Sequence, residues 1–190
     1  MQNNIHIITS APIKYEFDGH GIYDSFDLVS RGVLNAPLVE GTEQSIKDFP
    51  FPFDILQTKY IFTATHGQTF ETGKLLQKVR CPDAELMPTE FLNNIKFSLK
   101  DLISKTEFFA LPRETALAKM RAGFFAKHKE PIIVQSRNLI NLLKDYPQNA
   151  LCIGHSFYMK ILENELCHAE FATDSRPYEP LRGFDFEIST

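Results

Sequence analysis

The sequence predicts a three-layer α/β/α fold: a mostly parallel sheet with helices on both faces, one antiparallel edge strand, and a helical cap inserted at 81–130. Three observations predict it. Short apolar runs at 5–8, 60–63 and 150–153 alternate with helix-like stretches, the pattern of a parallel sheet covered on both sides. The tail GFDFEIST sets Phe184, Phe186 and Ile188 on one face, as a half-buried edge strand does. From Cys81 to about Glu130 the pattern changes to helical spacing, which marks the cap within a single domain spanning 1–190.

Taken in order, Ile5 to Ile8 reads as a buried first strand. DLVSRGVLNA, 27–36, offers Ser30 as an N-cap ahead of an apolar-periodic stretch. FPFPF, 49–53, is excluded from helix interior by its alternating prolines. Tyr60 to Thr63 is a strand and Gln68 to Val79 the helix after it. In the cap, Thr89 to Ser104 and Arg113 to His128 read as amphipathic helices, with Leu92, Ile95, Leu99, Met120 and Phe124 facing inward. Ile132 to Lys144 reads as a separate helix, stopped at Tyr146-Pro147, and Ala150 to Ile153 as the next strand. Ligands of such sheets sit beyond the carboxyl ends of the strands. Thr9 and Ser10, Ala64 to Gln68, and His155 and Ser156 all fall there.

Composition narrows the function classes. Of 190 residues 43% are hydrophobic, with 17 phenylalanines and no tryptophan, enough for a sizeable core. A net charge of -4 argues against nucleic acid or an anionic membrane as partner. MQNNIHIITSAP lacks the basic and apolar regions of a secretory signal, and no apolar run is long enough to span a bilayer. Cys81, Cys152 and Cys167 are dispersed, as buried thiols of a reducing compartment are. The expectation is a cytoplasmic protein without a metal or cofactor.

ALCIGHSFYMKIL, 150–162, reads as strand, tight turn and helix with Gly154-His155-Ser156 at the tip. One reading makes Ser156 the nucleophile of a serine hydrolase, on the G-x-S-x-G elbow. Tyr158 stands where the second glycine is required, and an acid followed by a histidine should come later in the chain. His168 instead precedes Asp174 and Asp185.

The histidine reading fits better, because three further segments fall into order with it. ALCIGHSFYMKIL resembles the strand that carries the second histidine of the histidine phosphatase superfamily, the phosphoglycerate mutase-like proteins. DLVSRGVLNA is similar to that family's P-L-T-x-x-G-x-x-Q-A segment, and YIFTATHGQTFETGKLL to its S-x-x-x-R-A-x-x-T-A segment. IHIITSAP lies where the first strand and its Arg-His-Gly should be. Pro37 and FPFPF depart from the family's usual first helix and loop.

The resemblance implies a nucleophilic imidazole, two arginines and a second histidine around a phosphate dianion, and a carboxylic acid for the leaving oxygen. On that mapping Thr9 stands for the first arginine, Ser10 for the nucleophilic histidine and Gln68 for the second arginine. Ala64 stands for the motif's serine, Glu16 for an asparagine, and Thr72 matches. Glu85 and Glu90 are candidates for the acid, and His155 alone survives of the phosphate cage. Losing two charge-assisted grips should weaken dianion binding by roughly 3–6 kcal/mol. Thr65-His66-Gly67-Gln68-Thr69 mimics the family's first motif without its arginine, and His66 or His20 could reach the pocket. Lys14, Arg31 and Lys160 are candidate replacement cations.

The resemblance therefore implies a pseudo-phosphatase that binds a small anionic ligand or a partner protein in the former phosphate cleft. In that reading the cap phenylalanines Phe91, Phe108, Phe109, Phe124 and Phe125 cover the cleft or form a homodimer surface. The alternative is a rewired phosphohydrolase using Ser10 or His66. The site set is His155 and Ser10 at the chemistry, with Thr9, Gln68, His66, Ser156 and Glu90 around the substrate.

Overall fold

A computed structural model describes residues 3–14, 21–146, 149–167 and 178–188. Five strands form one sheet: β1 (Asn3–Thr9), β2 (Tyr60–Thr63), β3 (Glu85–Pro88), β4 (Ala150–Gly154) and β5 (Gly183–Ile188), in the order β3-β2-β4-β1-β5. The pairs β1–β4, β4–β2 and β2–β3 are parallel, and β5 pairs antiparallel with β1, His6 opposite Asp185. The helices are α1 (Gly21–Ser30), α2 (Thr42–Asp48), α3 (Gly67–Val79), α4 (Lys105–Ala110), α5 (Arg113–Leu143) and α6 (Ser156–Cys167).

Alternation along the strands splits the core in two. Ile5, Ile7, Phe62, Ala150 and Cys152 face a cluster with Tyr23 of α1, Met120, Phe124 and Leu139 of α5, and Met159 and Leu162 of α6. Ile8, Ile61, Leu151 and Ile153 face the other cluster, with Ile46 of α2 and Leu76 of α3. Two faces buried by helices give the expected three layers. FPFPF lies outside any helix; Phe49, Phe51 and Phe53 pack against the second cluster. Cys81 and Cys152 are free and buried, and burial pushes both thiols up, Cys81 to about 11.

Several expectations need correcting. Ser30 ends α1 instead of capping a helix, and its hydroxyl donates to Asp27 O at 3.0 Å. Gly32, at φ 69, terminates the helix: Gly32 N donates to Val29 O and Val33 N to Leu28 O, both at 2.9 Å, a Schellman closure. Thr89 to Ser104 is not a helix but two short 3₁₀ turns, Glu90–Leu92 and Leu99–Asp101. The span 81–130 is not purely helical either, since β3 lies within it and extends the sheet. Arg113–Leu143 is one helix of 31 residues with Pro131 inside it. Phe124 and Phe125 before the proline and Ile132, Ser136 and Leu139 after it are buried, and that continuous face outweighs the proline's cost of about 3 kcal/mol.

Four of the five cap phenylalanines belong to the core. Phe124 and Phe125 are buried and Phe91 and Phe108 pack on the same core, so that of the five only Phe109 is exposed. His20 and Glu16, and His168 and Asp174, lie outside the described residues.

Gly73 sets how closely α3 seats on the sheet. A Cβ there would stand 2.4 Å from Thr63 Cγ2 and 3.0 Å from Leu86 Cδ1. Alanine favours a helix over glycine by about 1 kcal/mol, but overpacking costs roughly 1–3 kcal/mol. Gly73→Ala should therefore lower stability by about 1–2 kcal/mol in urea unfolding; a raised midpoint would mean that α3 is not seated this way.

Candidate binding cleft

The parallel strands deliver three chain segments to one end of the sheet: Ser10 after β1, Ala64 to His66 after β2, and His155 after β4. The turn after β2 is held by side chains. Ala64 N donates to Thr69 Oγ1 at 3.2 Å, Thr72 Oγ1 donates to Gln68 O at 2.7 Å, and Ala11 N donates to Thr72 Oγ1 at 3.0 Å. Gly67 has φ 75, a left-handed conformation that favours glycine, and it starts α3 directly at the cleft.

A cavity of about 330 Å³ opens here. His66, Gln68, His155 and Ser156 line its floor, Asn35, Asn93 and Asn94 add amides, and Phe26, Val29, Leu34 and Phe97 supply apolar walls. Lys96 is the only lysine or arginine among its described lining residues. The roof is anchored by Asp27, a buried carboxylate that accepts from Leu99 N at 2.6 Å and Ser98 Oγ at 3.0 Å. That anchor fastens the segment behind Phe97 to α1, which carries Phe26 and Val29.

At the floor, Gln68 Nε2 lies 2.9 Å from His155 Nδ1. Burial, with a smaller contribution from His66, pushes the His155 imidazole down to about 4, so the ring is neutral at pH 7. His66 is exposed and occupies the N-cap position of α3, with no capping hydrogen bond from its side chain. Its Nδ1 lies 2.9 Å from Thr65 Oγ1, which in turn donates to Asn93 Oδ1 at 3.0 Å.

The sequence-predicted residues separate into two places. His155, His66, Gln68 and Ser156 share the cavity. Thr9 and Ser10 line an adjoining hollow of about 250 Å³, and Gln68 and Ser156 form the wall between the two. Thr9 is buried and its hydroxyl donates to Glu179 O at 2.7 Å and Arg182 O at 3.3 Å. It is thus committed to the loop before β5. Ser156 opens α6 with no acid–histidine pair behind it among the described residues, and Tyr158 is buried with its hydroxyl donating to Phe91 O at 3.0 Å. Glu90 is exposed and does not line the cavity; its carbonyl accepts from Gln135 Nε2. Glu85 is an exposed residue of β3. Arg31 pairs with Asp27 at 3.6 Å, and Lys14 is exposed; neither lines the cavity, and the Lys160 side chain is not among those described.

Sequence reasoning missed Asn93, Asn94, Lys96 and Phe97, because it placed them inside a helix. Adjacent asparagines were the available signal, since their side chains compete for the backbone and favour turns.

The fold is that of the phosphoglycerate mutase-like, histidine-phosphatase-fold proteins. Bacillus stearothermophilus YhfR matches with a TM-score of 0.58 and 13% identity, covering 94% of this chain and 87% of that one. Mycobacterial hydrolase 1 matches with 0.56 and 11%, covering 95% and 89%. Phosphoglycerate mutase from Bacillus anthracis str. Sterne matches with 0.50 and 14%, covering 87% and 80%. No protein-family model and no curated protein matches the sequence. No helix among the described residues is long and apolar enough to cross a membrane.

The depressed His155 makes stability depend on pH. Between 6.5, its ordinary value, and about 4 the unfolded chain takes up a proton that the folded ring refuses. Its contribution is present above pH 6.5 and is lost as the pH falls toward 4. His128, lowered by burial and by Lys127, acts in the same sense. In an NMR pH titration His155 should keep its neutral ring shifts at pH 5.5; a midpoint near 6.5 in the folded protein would contradict this.

Proposed function

We propose that this chain is a pseudo-phosphatase: a histidine-phosphatase fold that binds a small molecule in the former phosphate cleft without transferring a phosphoryl group. The observation that carries the reading is the Gln68–His155 hydrogen bond at 2.9 Å. On the family mapping this is where a guanidinium would share a phosphate oxygen with an imidazole, and a neutral amide holds the neutral ring instead. Phosphoryl transfer rests almost wholly on positioning and charge stabilisation of the dianion. Lys96, at the exposed rim, does not replace two planar forks.

The nucleophile is also lacking on this mapping. Ser10 needs a base to take its proton. The wall formed by Gln68 and Ser156 lies between its hollow and the cavity of His155. A rewired hydrolase has one feature in its favour, the Asn93–Thr65–His66 chain of hydrogen bonds, which orients an imidazole at the cavity. Among the described residues it lacks a clamp for the developing charge. The proposal also covers location and partners: a cytoplasmic protein whose ligand is small, with no role for nucleic acid.

Purified protein should turn over neither aryl phosphates nor phosphoglycerates and should form no acid-labile phosphoenzyme. Turnover that His155→Ala or His66→Ala abolishes would overturn the pseudo-phosphatase reading.

A further inference from the structure

We propose that the cavity takes a neutral, planar cyclic amide, the N–H and C=O edge that a pyrimidinone or purinone ring presents, read by His66 and His155 together. This rests on the binding role proposed above and names the ligand chemistry of the same cleft.

The hydrogen bonds assign the ring protons. Thr65 N donates to Asn93 Oδ1 at 2.8 Å. A backbone N–H can only donate, so that atom of Asn93 is oxygen. Thr65 Oγ1 lies 3.0 Å from the same oxygen and must spend its single proton there. Toward His66 Nδ1, 2.9 Å away, the hydroxyl is left as an acceptor, and Nδ1 carries the ring proton. In neutral His66 the atom left for a ligand is Nε2, a bare acceptor. His155 is opposite in kind. Its Nδ1 accepts from the Gln68 amide, so its proton is on Nε2, a donor. Two imidazoles at one cavity thus offer one acceptor and one donor. A cyclic amide carries the matching pair, C=O beside N–H, on one edge.

A third group points the same way. Asn94 lines this cavity, and its Oδ1 is buried with no hydrogen-bond partner among the described residues. Such an acceptor costs stability unless a donor reaches it. Inorganic phosphate could donate through a P–O–H, but it brings a charge that no guanidinium among the cavity's described lining residues meets. It also has no flat edge that pairs a donor beside an acceptor. Phe26 and Phe97 supply apolar surface suited to a flat ring. At about 330 Å³ the cavity is at the small end of ligand sites, the scale of a one- or two-ring molecule.

The test uses the whole ¹⁵N-labelled chain. Multiple-bond ¹H–¹⁵N spectra should show His66 protonated at Nδ1 and His155 at Nε2. Titration with uracil and with hypoxanthine should then shift both rings saturably, while inorganic phosphate leaves them unchanged. His66→Ala, at an exposed position, should weaken that binding about tenfold. The same tautomer at both rings, or no ring shift with either probe at millimolar concentration, overturns the proposal. Aryl-phosphate turnover would instead sink the pseudo-phosphatase reading and leave the tautomers as assigned, so the two failures are distinguishable.

Discussion

Ala150–Gly154 has neither an edge nor a face left to water. β1 and β2 pair with its two edges, both helical layers cover its faces, and all five residues are buried. Such a strand tolerates only apolar side chains with every backbone group in the ladder. It therefore fixes where the chain emerges from the sheet. His155 is delivered to the end of the sheet between the segments after β1 and β2, and α6 starts from it, Met159 N donating to His155 O at 2.9 Å. The cleft is a consequence of that placement. Any chain with this parallel order brings three strand ends together; what binds there depends on which side chains occupy them.

Here the described residues that line the cleft include no arginine and no carboxylate. The floor carries two imidazoles, an amide and a hydroxyl, the roof two asparagines and two phenylalanines, with Lys96 at the rim. A dianion moved from water into such a site loses hydration that dipoles alone do not repay. The helix N-termini of α3 and α6 face the same space and favour negative charge, but by about 0.3–1 kcal/mol each. That is well short of the roughly 3–6 kcal/mol that two guanidinium grips supply. The balance of magnitudes favours a ligand recognised by hydrogen bonds and ring contact.

Much of the fold was legible in the sequence because its signals were local. The apolar runs at 60–63 and 150–153, the alternating tail and the prolines of FPFPF each carry their own physics. Misreadings occurred where tertiary contacts decide. Ile132 to Lys144 reads as a separate helix, yet the buried face of α5 runs on through Pro131. Ser30 reads as a helix start, yet Gly32 two residues later closes a helix. α2, seven residues with only Thr42 and Ile46 buried, is too short for periodicity to reveal. β3 ends in a proline and does not alternate in burial. At the site, His155, His66 and Gln68 were legible from their places after β4 and β2. The Gln68–His155 contact joins residues 87 apart in sequence, and the Thr65–Asn93 contact residues 28 apart, which no local pattern encodes.

In the proposed pseudo-phosphatase the cleft keeps the geometry of the fold without the charge of a phosphate site. Calorimetric titration of orthovanadate into the parent and into Gln68→Arg, at fixed low salt, separates those two properties in one experiment. The parent should show no saturable binding below millimolar concentration, and affinity should rise about tenfold or more when one guanidinium faces His155. Micromolar binding of vanadate by the parent, lost in His155→Ala, would show instead that the phosphate site still works.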